Sequence, residues 1–165
     1  VGTEAPDQLN DDRLTLVGLL LESAAGLRRE LGRRIEDECG LSLQWFELLL
    51  RLGRSPGHQL RMSDLADQTN LTPSGLTRAI DRLVEAGLVE RLACPEDRRG
   101  AYAVLTPAGL DQISAAVGQH LRHVDETLLG VLTPQDQTTL ESILRKLRDH
   151  VHPGAARTPE PIPPA

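Results

Sequence analysis

Ser74, Thr77, Arg78 and Arg82 follow one another at steps of three, one and four positions. On a helix that spacing puts all four side chains on one outward face. An arginine so placed can pair bidentately with guanine, whereas serine and threonine contact bases or phosphates more permissively. Arg82, one turn beyond Arg78, is better placed for phosphate. A second group, Asp97, Arg98 and Arg99, sits in the polar segment Pro95-Glu96-Asp97-Arg98-Arg99-Gly100. Arginines at a loop tip fit a narrow minor groove. Asp97 makes sense there if it pairs with Arg99 and fixes the direction of the guanidinium.

Other reactive types are sparser. Cys39 and Cys94 are too few and too far apart for a disulfide framework. A redox role needs a thiol of lowered pKa, and Glu36, Asp37 and Glu38 beside Cys39 would raise it. Cys94 has Arg91 nearby but no other activator. His120 and His123 share a helical face, and His150 and His152 lie near the C-terminal end. With Glu36 or Cys39 they make a weak zinc pattern, set against solvated or interface histidines. No metal or cofactor is therefore expected. Gly-rich phosphate loops, nucleophile elbows and metal-hydrolase motifs are missing, which disfavours an enzyme.

Composition cuts both ways. The 165 residues carry a net charge of -6 with a pI near 5.3, so they have no overall electrostatic attraction for nucleic acid. One Trp, one Tyr and one Phe cannot build a base-stacking platform, which excludes stacking-based RNA binding. No apolar run approaches the roughly 18 residues of a membrane span, and Val-Gly-Thr-Glu does not open a secretory signal. The expectation is a soluble cytoplasmic protein without a membrane partner.

The elements that must position these residues are mostly helical. Leu20, Ala24, Leu27, Leu31 and Ile35 recur at helical steps, predicting a helix from about Asn10 to Cys39, stopped by Gly40. A second starts after Ser42 and ends in Gly53-Arg54-Ser55-Pro56-Gly57. The tripeptide Leu-Thr-Pro occurs at 71–73, 105–107 and 132–134. Each predicts a helix start, with Thr as cap and Pro in the first turn, giving helices near 73–86, 107–129 and 134–150. A short helix over 63–68, the turn Thr69-Asn70-Leu71 and the helix ending at Gly87 then predict a helix-turn-helix. Two short strands near Val89–Arg91 and Tyr102–Val104 predict a hairpin behind it. Five prolines in the last fourteen residues predict an extended tail.

At these residues the chain resembles the MarR (multiple antibiotic resistance regulator) family. Leu76-Thr77-Arg78-Ala79-Ile80-Asp81-Arg82-Leu83-Val84-Glu85-Ala86-Gly87-Leu88-Val89-Glu90-Arg91 looks like its recognition helix and first wing strand. Residues 95–100, followed by Leu105-Thr106-Pro107-Ala108-Gly109, look like its wing signature and the opening of the next helix. Leu41 to Leu49 resembles the start of its second helix. The likeness spans about residues 10–150.

The resemblance implies a mainly α fold with a small β-hairpin wing. It implies an N-terminal arm over 1–9, a dimerisation helix over 10–40 and a winged helix-turn-helix domain over 41–106. Dimerisation helices over 107–151 and a Pro-rich tail over 152–165 follow. It implies a homodimer on pseudo-palindromic double-stranded DNA, usually repressing transcription, with a small phenolic or lipophilic effector that releases it. Arg78 becomes the base-reading arginine, Arg99 the minor-groove arginine and Asp97 its partner. Leu20, Leu27, Trp45, Phe46 and Leu49 become the candidate effector pocket, although the aromatic pair also suits a plain core. Two features depart from the pattern: Gly75 offers no base-reading side chain, and the wing has no Lys. The alternatives are a winged-helix protein-interaction module without DNA binding, or a zinc- or redox-sensing relative.

The charge divides unevenly. Residues 61–105 carry a net -1, residues 1–60 a net -3 and residues 106–165 a net -2. DNA attraction must then rest on the placement of a few arginines rather than on bulk charge.

Overall fold

Capping side chains set where the long helices begin. In the computed structural model, which describes residues 7–69, 71–94 and 100–156, helix α1 (Asp12–Cys39) starts at Asp11. The Asp11 carboxylate accepts from the Arg13 backbone N–H, so the helix begins two residues later than its apolar spacing suggests. It ends at Gly40, in the left-handed region at φ 65°, whose N–H reaches the Glu36 carbonyl. Helix α2 (Leu43–Gly53) is capped by Ser42, which accepts from Trp45 N–H at 3.2 Å.

The three Leu-Thr-Pro segments all start helices. Helix α3 (Met62–Asp67) is short and precedes the first of them; Asn70, in the expected turn, lies outside the described residues. Thr72 opens α4 (Pro73–Glu85), Thr106 opens α5 (Pro107–Thr127) and Thr133 opens α6 (Pro134–Val151). Each threonine hydroxyl accepts a backbone N–H, from Gly75, Gly109 and Asp136 respectively. At α6 the Asp136 carboxylate also accepts the Thr133 N–H, completing a capping box.

Strands β1 (Gln59–Arg61), β2 (Val89–Ala93) and β3 (Ala101–Leu105) form an antiparallel sheet in the order β1-β3-β2. Leu60 and Arg91 both stand opposite Ala103, on its two sides. The hairpin strands match the sequence expectation, and β1 was missed: three residues show no periodicity until β3 lies beside them. Asp97, Arg98 and Arg99, expected at the hairpin tip, lie outside the described residues.

The core joins α1, α2, the helix-turn-helix and α5. Ile35, Leu49, Leu52, Leu65, Leu76, Ile80, Leu83 and Val89 are fully buried together. Gly109 lets α5 close onto the chain that leads into β2. A Cβ at Gly109 would lie 2.0 Å from the Leu88 carbonyl oxygen, which only glycine avoids. Thr106 seals the same junction, its hydroxyl donating to Gly87 O at 2.7 Å and its N–H to Leu88 O at 3.1 Å.

The apolar stripe of α1 is buried only at its C-terminal end. Ile35 is buried and Leu27 and Leu31 are half-buried, but Leu20 and Ala24 are exposed. Leu14, Leu16, Val17 and Leu19 on α1 are also exposed, as are Ile143, Leu144, Leu147 and Val151 on α6. Among the described residues no helix is long and apolar enough to cross a membrane.

Candidate nucleic-acid interface

Helix α4 has a sharply divided surface. Leu76, Ala79, Ile80 and Leu83 are buried, and Ser74, Thr77, Arg78, Asp81 and Arg82 are exposed. The buried stripe presses the helix into the core, so the other side must face outward. All four residues expected on this helix therefore share one face. Arg78 Nε lies 3.4 Å from the Ser74 carbonyl, a weak local contact. No ion pair among the described residues engages Arg78 or Arg82.

The acidic neighbour of Arg82 in sequence is committed elsewhere. Asp81 pairs with Arg91 of β2, Oδ1 to Nη2 at 3.2 Å. Arg91 Nη2 also donates to the Thr77 carbonyl at 3.3 Å. One strand arginine thus grips the exposed helix at two points and neutralises the carboxylate between Arg78 and Arg82.

An open groove of about 470 Å³ runs along this face, lined by Gln44, Gly75, Arg78, Asp81 and Arg82. Gln44 lines it without any signal in the sequence. It lies thirty-four positions before Arg78 and carries no motif; only the fold, which brings the start of α2 to this groove, puts it there. Gly75 is close to the helix cap, and a Cβ there would meet Thr72 Oγ1 at 3.0 Å.

Arg61 is turned inward to the sheet. Its Nε donates to Tyr102 OH at 3.0 Å, and its guanidinium sits 5.6 Å from the ring centroid, a cation–π contact.

The remaining candidates are dispersed. Cys39 donates to Gln119 Oε1 at 3.0 Å, and burial, then the Glu38 charge, pushes its thiol pKa up. That is the direction opposite to an activated thiol. Cys94 is buried, 3.9 Å from Tyr102 OH. His123 is buried with Nε2 on Glu38 at 2.9 Å, and His120 packs its ring on Phe46 at 4.7 Å between centroids. His152 reaches the Asp67 carbonyl at 2.9 Å. Among the described residues no cluster of three or more His, Cys, Asp or Glu side chains is arranged to hold a metal.

The five effector-pocket candidates separate. Phe46 and Leu49 are core, Trp45 is half-buried against it and Leu27 is half-buried on α1. Leu20 lines a broad groove of about 1030 Å³ with Leu128, Leu132, Leu144 and Leu147.

An outward-facing second helix of a helix-turn-helix, backed by a three-stranded wing sheet, is shared by known proteins. The sequence profile of the MarR family matches residues 40–100. The chain is 33% identical to the HTH-type transcriptional repressor Rv2887 of Mycobacterium tuberculosis, over 78% of this chain and 90% of that one. It superimposes on AbsC, a MarR family transcriptional regulator from Streptomyces coelicolor. There the TM-score is 0.78 and the identity 33%, over 86% of this chain and 95% of that one. The chain belongs to the MarR family. It is therefore a transcriptional regulator of the winged-helix class and not an enzyme. A second Streptomyces coelicolor member of the family, Sco3205, was solved in complex with DNA. It matches with a TM-score of 0.78 and 31% identity, over 96% of each chain.

Proposed function

We propose that this MarR-family chain binds a pseudo-palindromic duplex operator as a homodimer and represses transcription until a small effector releases it. The observation that carries the reading is the α4 face: Ser74, Thr77, Arg78 and Arg82 lie outward, and the two arginines are unpaired among the described residues. A helix with that face fits a major groove, its first turns reaching base edges. In this reading Arg78 reads a base, Arg82 and Gln44 meet phosphates, and Arg98 and Arg99 with Asp97 serve the wing. The DNA complex of Sco3205 and the repressor name of Rv2887 support the same assignment.

Two further observations support the finer parts. Exposed apolar side chains recur along α1 and α6, and a second copy of the chain would cover them. Two copies give two recognition helices, which is what a pseudo-palindrome requires. A lipophilic effector seated near Leu20, in the groove between α1 and α6, would change how the copies meet and so the spacing of the helices. Such a regulator acts where the DNA is, in the cytoplasm.

The test is a footprint on the promoter regions flanking the chain's own gene, followed by titrations over a range of salt. Protection of two half-sites about one helical turn apart is expected. Arg78→Ala should weaken operator binding by about 1–3 kcal/mol and relax preference at one base position. Arg82→Ala should weaken all sequences alike and lower the salt slope by about 0.9. Unchanged operator binding by Arg78→Ala would refute the assignment of that face.

A further inference from the structure

Away from the DNA face, a third cavity gathers positive charge. It lies between the ends of α2 and α3, the last turns of α6 and the C-terminal turn Pro153–Ala156, and has a volume of about 400 Å³. Arg51, Arg54, Arg148, Ser55, Gln68 and Ala155 contribute to its wall. It shares none of these residues with the groove at Arg78.

The charges there do not balance. Glu47 also borders the cavity, but its carboxylate is held by Arg28 at 2.8 Å. Arg148 is held by Asp149 at 2.7 Å. Arg51 and Arg54 are left over: no ion pair among the described residues engages either one. Arg51 is half-buried, and burial pulls its pKa below the usual arginine range; Glu47 opposes that and Arg54 adds to it. Arg51 is thus partly withdrawn from water with no ion pair of its own among the described residues, and Arg54 stands exposed at the rim; an oxyanion between them would offset that cost. The guanidinium fork matches carboxylate and phosphate oxygens two at a time.

The walls are built rather than incidental. Ser55 and Gln68 are only 8% and 7% exposed, and Ser55 Oγ donates to the Arg51 carbonyl at 2.7 Å. The C-terminal turn is pinned across α3 by His152 on the Asp67 carbonyl. It approaches so closely that a Cβ at Gly154 would lie 2.6 Å from Asp67 O. The volume falls within the ~300–1,000 Å³ of small-molecule sites.

We propose that this cavity binds a small dianion, a phosphate monoester or a dicarboxylate, between Arg51 and Arg54. Two unneutralised guanidinia select a double charge over a single one. A bound dianion then sits at the end of α2, beneath the C-terminal turn and beside the last turns of α6. Any consequence for operator release rests on the regulator reading above; the binding itself does not.

The experiment is calorimetric titration of inorganic phosphate and of succinate into the full chain, with ionic strength held constant by sodium chloride. Saturable binding is expected for both dianions, and binding about tenfold weaker or more for acetate. Arg51→Met and Arg54→Met should each weaken phosphate by about tenfold or more, while Arg51→Lys keeps part of the affinity. Thermal melts without ligand show which variants fold. Should Arg51→Met fail to fold, Arg54→Met and the preference for dianion over acetate carry the test. The double variant Arg78→Ala/Arg82→Ala, altered only on the DNA face, should bind phosphate like the parent chain. Three outcomes overturn the site: no saturable heat from either dianion, undiminished binding by a folded Arg51→Met or Arg54→Met, or loss of binding in the double variant. Operator binding by the parent chain, measured in parallel, reports separately on the regulator reading.

Discussion

Arg91 holds Asp81 at 3.2 Å, and with the same nitrogen reaches the Thr77 carbonyl at 3.3 Å. The pair joins the wing strand β2 to the exposed face of α4. In the proposed operator-binding reading, an unpaired carboxylate between Arg78 and Arg82 would repel phosphate, so the pair is expected to bear on DNA affinity more than on folding. A partly exposed ion pair contributes about 0.2–1 kcal/mol to stability. Arg91→Ala is expected to lower operator affinity about tenfold with little change in melting temperature, and Asp81→Asn added to it should restore most of the loss. A double-mutant cycle by fluorescence anisotropy measures this. Failure of Asp81→Asn to rescue would mean that Arg91 acts by another route.

The junction of α5 with the sheet makes a sharper prediction about stability. Gly109→Ala drives a methyl to 2.0 Å from the Leu88 carbonyl, so backbone must move. A loss of about 2–4 kcal/mol is expected. Gly118, on the same helix, is the control, because a Cβ added there would meet nothing within 4 Å. Gly118→Ala should gain about 0.5–1 kcal/mol, the ordinary helix preference for alanine over glycine. Chemical denaturation of the two variants compares them directly.

Acid should destabilise the fold in two stages. Burial, then the neighbouring charge of His123, lowers the pKa of His120 below its ordinary 6.5. The unfolded chain therefore takes up a proton near pH 6.5 that the folded chain resists, and stability falls as pH drops through that value. Lower down, hydrogen bonds from Arg34 and Arg33 hold Glu30 to about 2, against an ordinary 4.5. Its contribution is present above 4.5 and is lost as pH falls toward about 2. His120→Phe, which keeps a ring against Phe46, should flatten the melting temperature between about pH 7.5 and 5.5. An unchanged pH slope in that variant would assign the first stage to another group.

Exposed leucines on α6 predict the assembly. Leu144 and Leu147 are each 42% exposed and line the groove beside Leu20. Leu144→Arg with Leu147→Arg should convert a dimer to a monomer in light scattering, and should lower operator affinity by more than about tenfold through loss of the second half-site. A parent chain that is already monomeric at micromolar concentration would contradict the homodimer.

Much of the fold was legible because its signals are local. Thr72, Thr106 and Thr133 each cap a helix within three residues of themselves, and Gly40 stops α1 through its own backbone conformation. The α4 face was legible for the same reason: the 3.6-residue period separates Leu76, Ile80 and Leu83 from Ser74, Thr77, Arg78 and Arg82. Strand β1 was not legible, because Gln59–Arg61 becomes a strand only when β3 supplies its hydrogen bonds. Nor was the fate of the α1 stripe. Leu20 and Ile35 are alike in sequence terms, yet one is exposed and the other buried according to which helices reach them.

The sequence by itself determined the order of the helices and the hairpin, the helix starts at Ser42, Thr72, Thr106 and Thr133, and which residues of α4 point outward, since all follow from the chemistry of near neighbours. The tertiary structure decided which charges meet. Asp81 finds Arg91 rather than Arg82, Arg28 claims Glu47, and Arg51 and Arg54 are left beside one cavity. Gln44 joins the groove along the outward α4 face only because the fold brings the start of α2 there. Contacts between residues far apart in the chain depend on how the helices pack, and no spacing rule along the chain encodes them.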